Sequence, residues 1–293
     1  MAHKAGFVNI IGSPNVGKST LMNVLVGERL SIITSKAQTT RHRIMGIVSG
    51  EDFQIVYSDT PGVLKPNYKL QESMMEFVHT ALTDADVILF VTDIYEDIKI
   101  EEKILNKIKN AKASVLLLIN KIDLADQEKL EAKVQYWKEE VPAAEVIPVS
   151  ALEKFNVNYV FDRIVALLPE GPGFYDKEQL TDKPEKFFVS EIIREKILMN
   201  YKKEIPYSVE VIVEAFKEEE KIIKIRAEII VVRDSQKGII IGHQGKALKK
   251  VGTEARKDIE AFFQKQVFLE LFVKVNKDWR DSDTQLKRFG YIS

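Results

Sequence analysis

The sequence has no cysteine and only four histidines, and its 293 residues include just 14 glycines and 9 prolines. The absence of cysteine excludes disulfides, thiolate chemistry and cysteine-ligated zinc, and it fits a reducing compartment. The histidines do not show metal-ligand spacing. No apolar run approaches the roughly 18 to 20 residues of a membrane helix, and the first ten residues, MAHKAGFVNI, do not have the character of a targeting peptide. We therefore expect a globular, cytoplasmic chain.

Size and charge distribution indicate two different halves. A chain of 293 residues that is 45% hydrophobic and 30% charged is long enough for about two domains. The net charge of −1 conceals an asymmetry, because residues 1–180 carry −5 and residues 181–293 carry +4. The basic excess of the second half is modest, so it permits a nucleic-acid partner there without establishing one.

The rhythm of apolar segments predicts the fold of each half. In the first half, helix-like segments alternate with strand-like runs, which are FVNII, FQIVYS, ADVILFVT, ASVLLLIN and EVIPVS. Continuously apolar strands separated by helices predict an α/β fold with a mostly parallel sheet and helices on both faces. The second half has the order helix, strand, strand, helix, helix, strand, which indicates an α+β domain. A segment rich in proline and glycine separates them, so we expect domains at 1–170 and 187–293 with a linker at 171–186.

A phosphate-binding motif lies at the start of the first predicted helix. Gly12, Gly17, Lys18 and Ser19 match G-x-x-x-x-G-K-[ST], directly after the strand-like FVNII. Glycines let backbone N–H groups and a helix N-terminus converge on phosphate oxygens, while the lysine neutralises the β and γ groups and the serine hydroxyl ligates Mg²⁺. The competing interpretation is an ordinary glycine turn. The predicted nucleotide contacts in this loop are Gly12, Ser13, Pro14, Asn15, Val16, Gly17, Lys18, Ser19 and Thr20.

Three further stretches follow predicted strands and complete a guanine-nucleotide site. The run Asp59-Thr60-Pro61-Gly62 lets the aspartate reach the metal and the Gly62 N–H face a γ-phosphate. In Asn120-Lys121-Ile122-Asp123, the aspartate can accept from N1–H and the 2-amino group of guanine, whereas adenine offers neither donor. In Ser150-Ala151-Leu152, a backbone N–H can reach the guanine oxygen. We therefore predict binding of GTP and GDP with Mg²⁺.

These motifs together resemble a translation-factor-type GTPase domain over nearly all of residues 6–168. The segment SKAQTTRHRI stands where that family has its first switch, and its Thr-Thr-Arg pattern resembles the Era and TrmE group. The resemblance implies that Thr40 ligates Mg²⁺ in the GTP state, together with Ser19 and Asp59. The adjacent Thr39 is the other candidate for this Mg²⁺ ligand. Two solvated loop threonines are the competing interpretation.

Two positions bear on the rate of hydrolysis. Val63 stands where Ras-like GTPases have a water-orienting glutamine, and valine cannot hydrogen-bond the attacking water, so we expect slow intrinsic turnover. Asn15 stands where GTPases resembling this one hold a potassium ion, which would add positive charge in the transition state. The competing interpretation is a turn-favouring asparagine after Pro14. The predicted catalytic groups are thus Lys18, Thr40, Gly62 and Asn15.

A second glycine loop, GHQG, lies between two helix-like segments of the second half. In this domain order, a G-x-x-G loop resembles a type II KH module, in which the loop clamps about four single-stranded nucleotides beside an apolar groove. Lysines on the following helix would add a salt-dependent, sequence-independent contribution to affinity. The competing interpretation is a helix-turn-helix corner with solvated lysines. The predicted RNA contacts are Gly238, Ile241, Gly242, His243, Gln244, Gly245, Lys246, Lys249 and Lys250.

A Thr-Thr-Arg GTPase domain followed by one KH module, ending in VKVNKDWRDSD and GY, resembles the Era family of bacterial GTPases over the whole chain. The resemblance implies a switch that binds the single-stranded 3′ end of 16S ribosomal RNA and acts in assembly of the small ribosomal subunit. It also implies peripheral association with the inner membrane, which no lipidation motif or amphipathic anchor supports independently. We expect a monomer that does not bind DNA. The alternative function is a GTP-gated membrane or protein-interaction switch whose KH-like domain is only a docking surface.

Overall fold

In the computed structural model of the chain, residues 2–96 and 102–292 are described. They form two compact units, which are residues up to 67 with the described part of 71–182, and residues 183–292 with 68–70. Of the predicted linker, the part up to residue 182 therefore belongs to the first unit. Among the described residues, none of the helices combines the length and the apolar character needed to cross a membrane.

The first unit contains a six-stranded sheet with the strand order β2-β3-β1-β4-β5-β6. The strands are β1 (Lys4–Gly12), β2 (Ile44–Ser49), β3 (Phe53–Asp59), β4 (Val87–Asp93), β5 (Ser114–Asn120) and β6 (Glu145–Pro148). The helices are α1 (Lys18–Val26), α2 (Lys69–Thr83), α3 (Glu102–Lys109), α4 (Gln127–Glu140) and α5 (Val157–Leu167). All strand pairs are parallel except β2 with β3. The predicted mostly parallel α/β fold is confirmed.

Burial of whole strands explains this architecture. Every residue of β4 is buried, and so is every residue of β5 after its first, as expected for parallel strands that are covered on both faces. The carboxyl ends of parallel strands meet at one edge of the sheet, where ligands of such folds bind. Strands β1, β3 and β5 end at Gly12, Asp59 and Asn120, so the three predicted motifs meet at that edge.

The antiparallel edge strand β2 was missed by the sequence analysis, because its run IMGIVS is short and contains a glycine. The segment 174–182, called the strap below, lies beside it. The N–H of Ile47 donates to the carbonyl of Leu180 at 2.8 Å. The Gln54 side chain accepts from the N–H groups of Phe174 and Tyr175 at 2.6 and 2.9 Å. The strap therefore covers backbone groups that an edge strand would otherwise expose.

The second unit has the predicted order of elements around a three-stranded sheet, β7-β8-β9. Its elements are α6 (Glu185–Asn200), β7 (Glu210–Glu218), β8 (Ile222–Val231), α7 (Asp234–Ile241), α8 (Lys246–Phe263), β9 (Gln266–Val275) and a short α9 (Asp283–Arg288). Strand β8 is antiparallel to β7 and parallel to β9. Alternate residues of β8, such as Ile225 and Ile229, share a core with Ile193, Val251 and Ile259 from the helices. The predicted type II KH fold is confirmed.

Removing the polar group of Gln54 should release the strap. Besides accepting two N–H groups, Gln54 donates to the carbonyl of Tyr175 at 2.8 Å and to Ser49 at 3.0 Å. Gln54→Leu keeps the volume and removes these bonds, so we expect a loss of about 2 kcal/mol in the stability of this contact. Hydrogen exchange at Phe174 and Tyr175 should become at least about tenfold faster. Ser49→Ala removes only one of Gln54's partners and is the control, while unchanged exchange in Gln54→Leu would contradict this role.

Candidate functional site

The phosphate-binding loop lies between β1 and α1, and its shape requires glycine. A Cβ on Gly12 would lie 2.0 Å from the carbonyl oxygen of Val91, and one on Gly17 would lie 2.2 Å from Nδ2 of Asn120. Gly17 also has a left-handed φ of 97°. The loop from Pro14 and the N-terminus of α1 line a cavity of about 350 Å³. Such a helix N-terminus is a ready site for phosphate.

Lys18 is buried at this loop. Its Nζ donates to the carbonyls of Gly12 and Ser13 at 3.0 and 2.8 Å. Burial lowers the pKa of Lys18 to about 8, although the charges of Asp59 and Glu96 oppose the shift. A buried ammonium that donates to carbonyl groups is stabilised further by an anion. The arrangement therefore suits a bound phosphate.

Three oxygen-bearing side chains meet beside the loop. The Ser19 hydroxyl lies 2.7 Å from Oδ2 of Asp59 and 2.9 Å from the Thr40 hydroxyl, which is 3.3 Å from the same carboxylate oxygen. Oδ1 of Asp59 is buried and has no hydrogen-bond partner within the described parts of the chain. Burial raises the pKa of Asp59, opposed first by the charge of Lys18. An unused carboxylate oxygen beside two hydroxyls fits Mg²⁺, which prefers oxygen ligands.

The two adjacent threonines of the first switch have different surroundings. Thr39 donates to the carbonyl of Lys36 at 2.6 Å, and its hydroxyl lies 2.6 Å from that of Thr34. Its hydrogen bonds with these partners therefore stay inside the loop, whereas Thr40 is buried against Ser19 and Asp59. The geometry favours Thr40 over Thr39 as the residue that senses the metal.

The segment after Asp59 approaches the phosphate-binding loop closely. A Cβ on Gly62 would lie 2.7 Å from Cα of Pro14, so only glycine fits there. Thr60 donates its hydroxyl hydrogen to a β1 carbonyl at 2.7 Å, which gives its side chain a structural role. The N–H of Val63 donates to the Gly12 carbonyl at 3.1 Å, and its side chain is buried. Val63 thus contributes no polar side-chain group to the cavity.

The predicted base-binding residues are connected by hydrogen bonds. Asn120 donates to the carbonyl of Val16 at 2.8 Å and accepts from the N–H of Ala151 at 2.9 Å. Ser150 donates to Asp123 at 2.5 Å. These contacts fix the Asp123 carboxylate and the backbone around Ala151 with respect to the phosphate-binding loop. Leu152, the last predicted residue of this group, is 73% exposed.

Asp93 is a residue of this site that the sequence analysis missed. It accepts from Nζ of Lys121 at 2.6 Å, and the same Nζ donates to the carbonyl of Asn15 at 2.7 Å. Asn15 itself has a left-handed φ of 65° and lines the cavity. The available signal was the position of Asp93 at the end of the apolar run VILFVT. Other missed residues that line the cavity are Ile32, Ile33, Thr34, Ser35, Lys36 and Gln38.

The second glycine loop joins α7 to α8 through left-handed residues. Gly242, Gln244 and Gly245 have φ values of 69°, 52° and 75°. A Cβ on Gly242 would lie 2.6 Å from that of Ala247, so this glycine is sterically required. His243 lies between Gly242 and Gln244, and α8 begins at Lys246 directly after the loop. On the flanking helices, Gly238 and Lys250 are exposed and Ile241 is half-buried.

A groove of about 360 Å³ runs from this loop between α8 and β9. Of the predicted RNA contacts, only Gly245 and Lys249 line it. The other lining residues were missed, and they are Leu248, Gly252, Thr253, Arg256, Leu269 and Leu271. The sequence pattern that could have identified them is their spacing. Residues four positions apart on α8 share one face of the helix, and residues two positions apart on β9 share one face of the sheet. The predicted apolar groove beside the loop is therefore present, with a polar end at Thr253 and Arg256.

The first unit has the fold and phosphate-binding loop of a P-loop GTPase, and the second has the strand order and loop of a KH domain. A family model for "50S ribosome-binding GTPase" matches residues 7–121, and one for "KH domain" matches 204–280. The chain is 45% identical to GTPase Era of Staphylococcus epidermidis and 46% identical to that of Staphylococcus haemolyticus, each over 99% of this chain and 98% of the relative. It belongs to the GTPase Era family and is a GTPase.

Solved structures agree with this assignment over the full length. Aquifex aeolicus Era, as a variant bound to GDP·AlF4⁻, superimposes with a TM-score of 0.94 at 38% identity and covers 99% of this chain and 100% of its own. An Era complex with MgGDPNP and nucleotides 1506-1542 of 16S ribosomal RNA gives the same score, identity and coverage. GTP or GDP and Mg²⁺ are accordingly the cofactors.

The pKa of Lys18 makes nucleotide binding depend on pH. A phosphate restores the charged lysine, so above about pH 8 binding should take up a proton and the affinity should fall as the pH rises. For GDP we expect a larger proton uptake at pH 8.5 than at pH 7.5. Calorimetric titrations in two buffers with different ionisation enthalpies measure this number. No uptake at pH 8.5 would show that Lys18 is already fully charged before nucleotide binds.

Proposed function

We propose that the chain is a GTP-hydrolysing switch that binds the single-stranded 3′ end of 16S ribosomal RNA and acts in maturation of the small ribosomal subunit. The observation that carries the RNA part is the groove between the GHQG loop, α8 and β9, whose walls are apolar near Leu248 and cationic at Lys249 and Arg256. KH domains take single-stranded nucleotides in such a groove. The Era complex with nucleotides 1506-1542 of 16S ribosomal RNA supports this choice of partner.

In the nucleotide site, we assign roles by the groups that each residue presents. Lys18 and the loop N–H groups bind the phosphates, and Ser19, Thr40 and Asp59 hold Mg²⁺. The Gly62 N–H faces the γ-phosphate. Positive charge from Lys18 and Mg²⁺ then stabilises the negative charge that develops during phosphoryl transfer. Guanine is selected by Asp123, whose carboxylate adenine would leave unpaired.

The switch function follows from what only GTP can contact. A γ-phosphate reaches Gly62 and, through Mg²⁺, Thr40, so the GTP state orders both loops and the GDP state loses these contacts. We infer that this order changes the affinity of the KH domain for RNA. Linkage then requires RNA to change the affinity for GTP relative to GDP by the same factor.

Potassium should accelerate hydrolysis through Asn15. With the buried Val63 at the position of the water-orienting glutamine, turnover is slow, and a cation beside the transferring phosphoryl group should raise kcat by about tenfold over sodium. Asn15→Gly is the test variant, because glycine adopts the left-handed φ and retains the carbonyl that accepts from Lys121. It should lose the potassium effect and keep its GDP affinity. Equal wild-type rates in the two salts would leave Asn15 with only a turn-forming role.

The RNA site is tested by a pair of variants that differ only in charge. Gln244 is left-handed, a conformation that Asp and Asn both tolerate. Gln244→Asp places a carboxylate beside the RNA backbone, so it should bind a pyrimidine-rich single strand about 10- to 100-fold more weakly than Gln244→Asn. Fluorescence anisotropy at one fixed salt concentration measures both, with GTP turnover as the control. Equal affinities, or no RNA binding by the wild type, would favour the protein-docking alternative.

Two expectations from the family resemblance stay predictions. They are peripheral association with the inner membrane and a monomeric state. Neither follows from the geometry of the two units, and both are separate from the RNA proposal.

A further inference from the structure

The nucleotide site has an apolar side chain at the position where Ras-like GTPases orient the attacking water. That residue is Val63, which directly follows Gly62 and is buried. Among the described residues that line the cavity, none is aspartate, glutamate or histidine, and the amide side chains belong to Asn15 and Gln38. An amide oxygen can accept a hydrogen from water. The group that orients the water is therefore to be sought in these two side chains.

The positions of the two amides differ in the site. Asn15 lies in the phosphate-binding loop, where its carbonyl accepts from Lys121 at 2.7 Å, and its amide is the proposed ligand of potassium. Gln38 lies two residues before Thr40, whose hydroxyl is 2.9 Å from that of Ser19. Two residues span at most about 7 Å. Gln38 is thus next to the group that would hold Mg²⁺ and the γ-phosphate.

The loop that carries Gln38 is closed by its own hydrogen bonds. The hydroxyl oxygens of Thr34 and Thr39 lie 2.6 Å apart, and Thr39 donates to the carbonyl of Lys36 at 2.6 Å. The N–H of Lys36 donates to the Thr34 hydroxyl at 3.1 Å. Ala37 and Gln38 form the turn between these bonds, and Gln38 is half-buried at the cavity. Little ordering of the loop is therefore needed before this side chain can act.

The backbone of Gln38 is in a conformation that does not favour glutamine. Its φ of 56° is left-handed. Glycine and asparagine adopt this conformation more readily, because a Cβ approaches the following carbonyl oxygen in it. A turn optimised only for local stability would carry one of those two residues. Glutamine at this position points to a role for its side chain in the cavity.

We propose that Gln38 is the catalytic residue that orients the attacking water. Its side-chain carbonyl accepts a hydrogen from the water, and its N–H donates to an oxygen of the γ-phosphoryl group. The water oxygen bonds to the γ-phosphorus as the bond from that phosphorus to the oxygen shared with the β-phosphate breaks. The electron pair of that bond leaves with GDP, and the water's protons go to the phosphate and the solvent. This inference rests on the proposed placement of the γ-phosphate beside Gly62 and Thr40.

Gln38→Gly and Gln38→Asn in the full chain test this role, because both keep the left-handed turn while one removes the amide and the other shortens it. Each should lower the single-turnover rate of GTP hydrolysis about 10- to 100-fold. The affinities for GDP and GDPNP should stay within about twofold, whereas binding of GDP·AlF4⁻, a mimic of the transition state, should weaken at least about tenfold. Wild-type rates in both variants would leave Gln38 with a turn-forming role and would overturn the proposal.

Ala37 provides the matched control, because it lies in the same turn and is not among the described residues that line the cavity. Ala37→Gly adds backbone freedom to the turn and leaves the Gln38 side chain in place. It should therefore hydrolyse GTP within about twofold of the wild-type rate. An equal loss in Ala37→Gly and Gln38→Gly would assign the effect to the order of the loop, which would contradict a catalytic role for the amide.

A third position separates this inference from the proposed placement of the γ-phosphate. Thr40→Val removes the hydroxyl that would reach Mg²⁺, so the affinity for GDPNP relative to GDP should fall about tenfold. If that ratio stays unchanged, the placement fails and the role of Gln38 fails with it. If the ratio falls while the Gln38 variants hydrolyse GTP at the wild-type rate, the placement holds and only the role of Gln38 fails. A lower ratio together with slow Gln38 variants supports both.

Discussion

The nucleotide site depends on two buried charged groups, Lys18 and Asp59, whose charged forms are disfavoured by burial and favoured by each other's charge. Burial lowers the pKa of Lys18 and raises the pKa of Asp59, so each group is driven toward its neutral form. A bound phosphate would raise the pKa of Lys18 again, and a bound divalent cation would lower the pKa of Asp59, because each supplies the opposite charge inside a poorly solvated site. Thr40 shares an oxygen of Asp59 with Ser19. The first switch therefore contacts the carboxylate that a bound cation would stabilise.

The glycines of the two ligand sites are required for different physical reasons. In the nucleotide site, a Cβ on Gly12, Gly17 or Gly62 would collide with the protein itself. In the RNA groove, Gly245 has open space where a Cβ would be, and Gly252 has only a movable leucine. Part of the first site is thus preformed by internal packing. The second leaves backbone exposed for a ligand, which is the arrangement expected where a nucleic-acid strand must approach closely.

Local sequence patterns were sufficient for the motifs but not for their surroundings. The phosphate-binding loop and the GHQG loop follow directly from residue spacing, and the predicted strands bring their carboxyl ends together. Asp93 was missed because its role is set by a contact with Lys121, 28 positions away, which no local pattern records. Strand β2 was missed because pairing with β3 and cover by the strap, rather than its own short run, stabilise it. Such non-local contacts are not encoded in composition or periodicity.

The position of β2 also bears on how a nucleotide signal could leave the site. Coupling needs an element whose arrangement differs between ligand states, since a ligand shifts an equilibrium only by its differential affinity. Strand β2 begins at Ile44, four residues after Thr40, and pairs with β3 on one side and with the strap on the other. A displacement of Thr40 would therefore act on a strand of only six residues, which pairs with one neighbouring strand and the strap. The buried strands β4 and β5, in contrast, are packed on both faces and would resist such a shift.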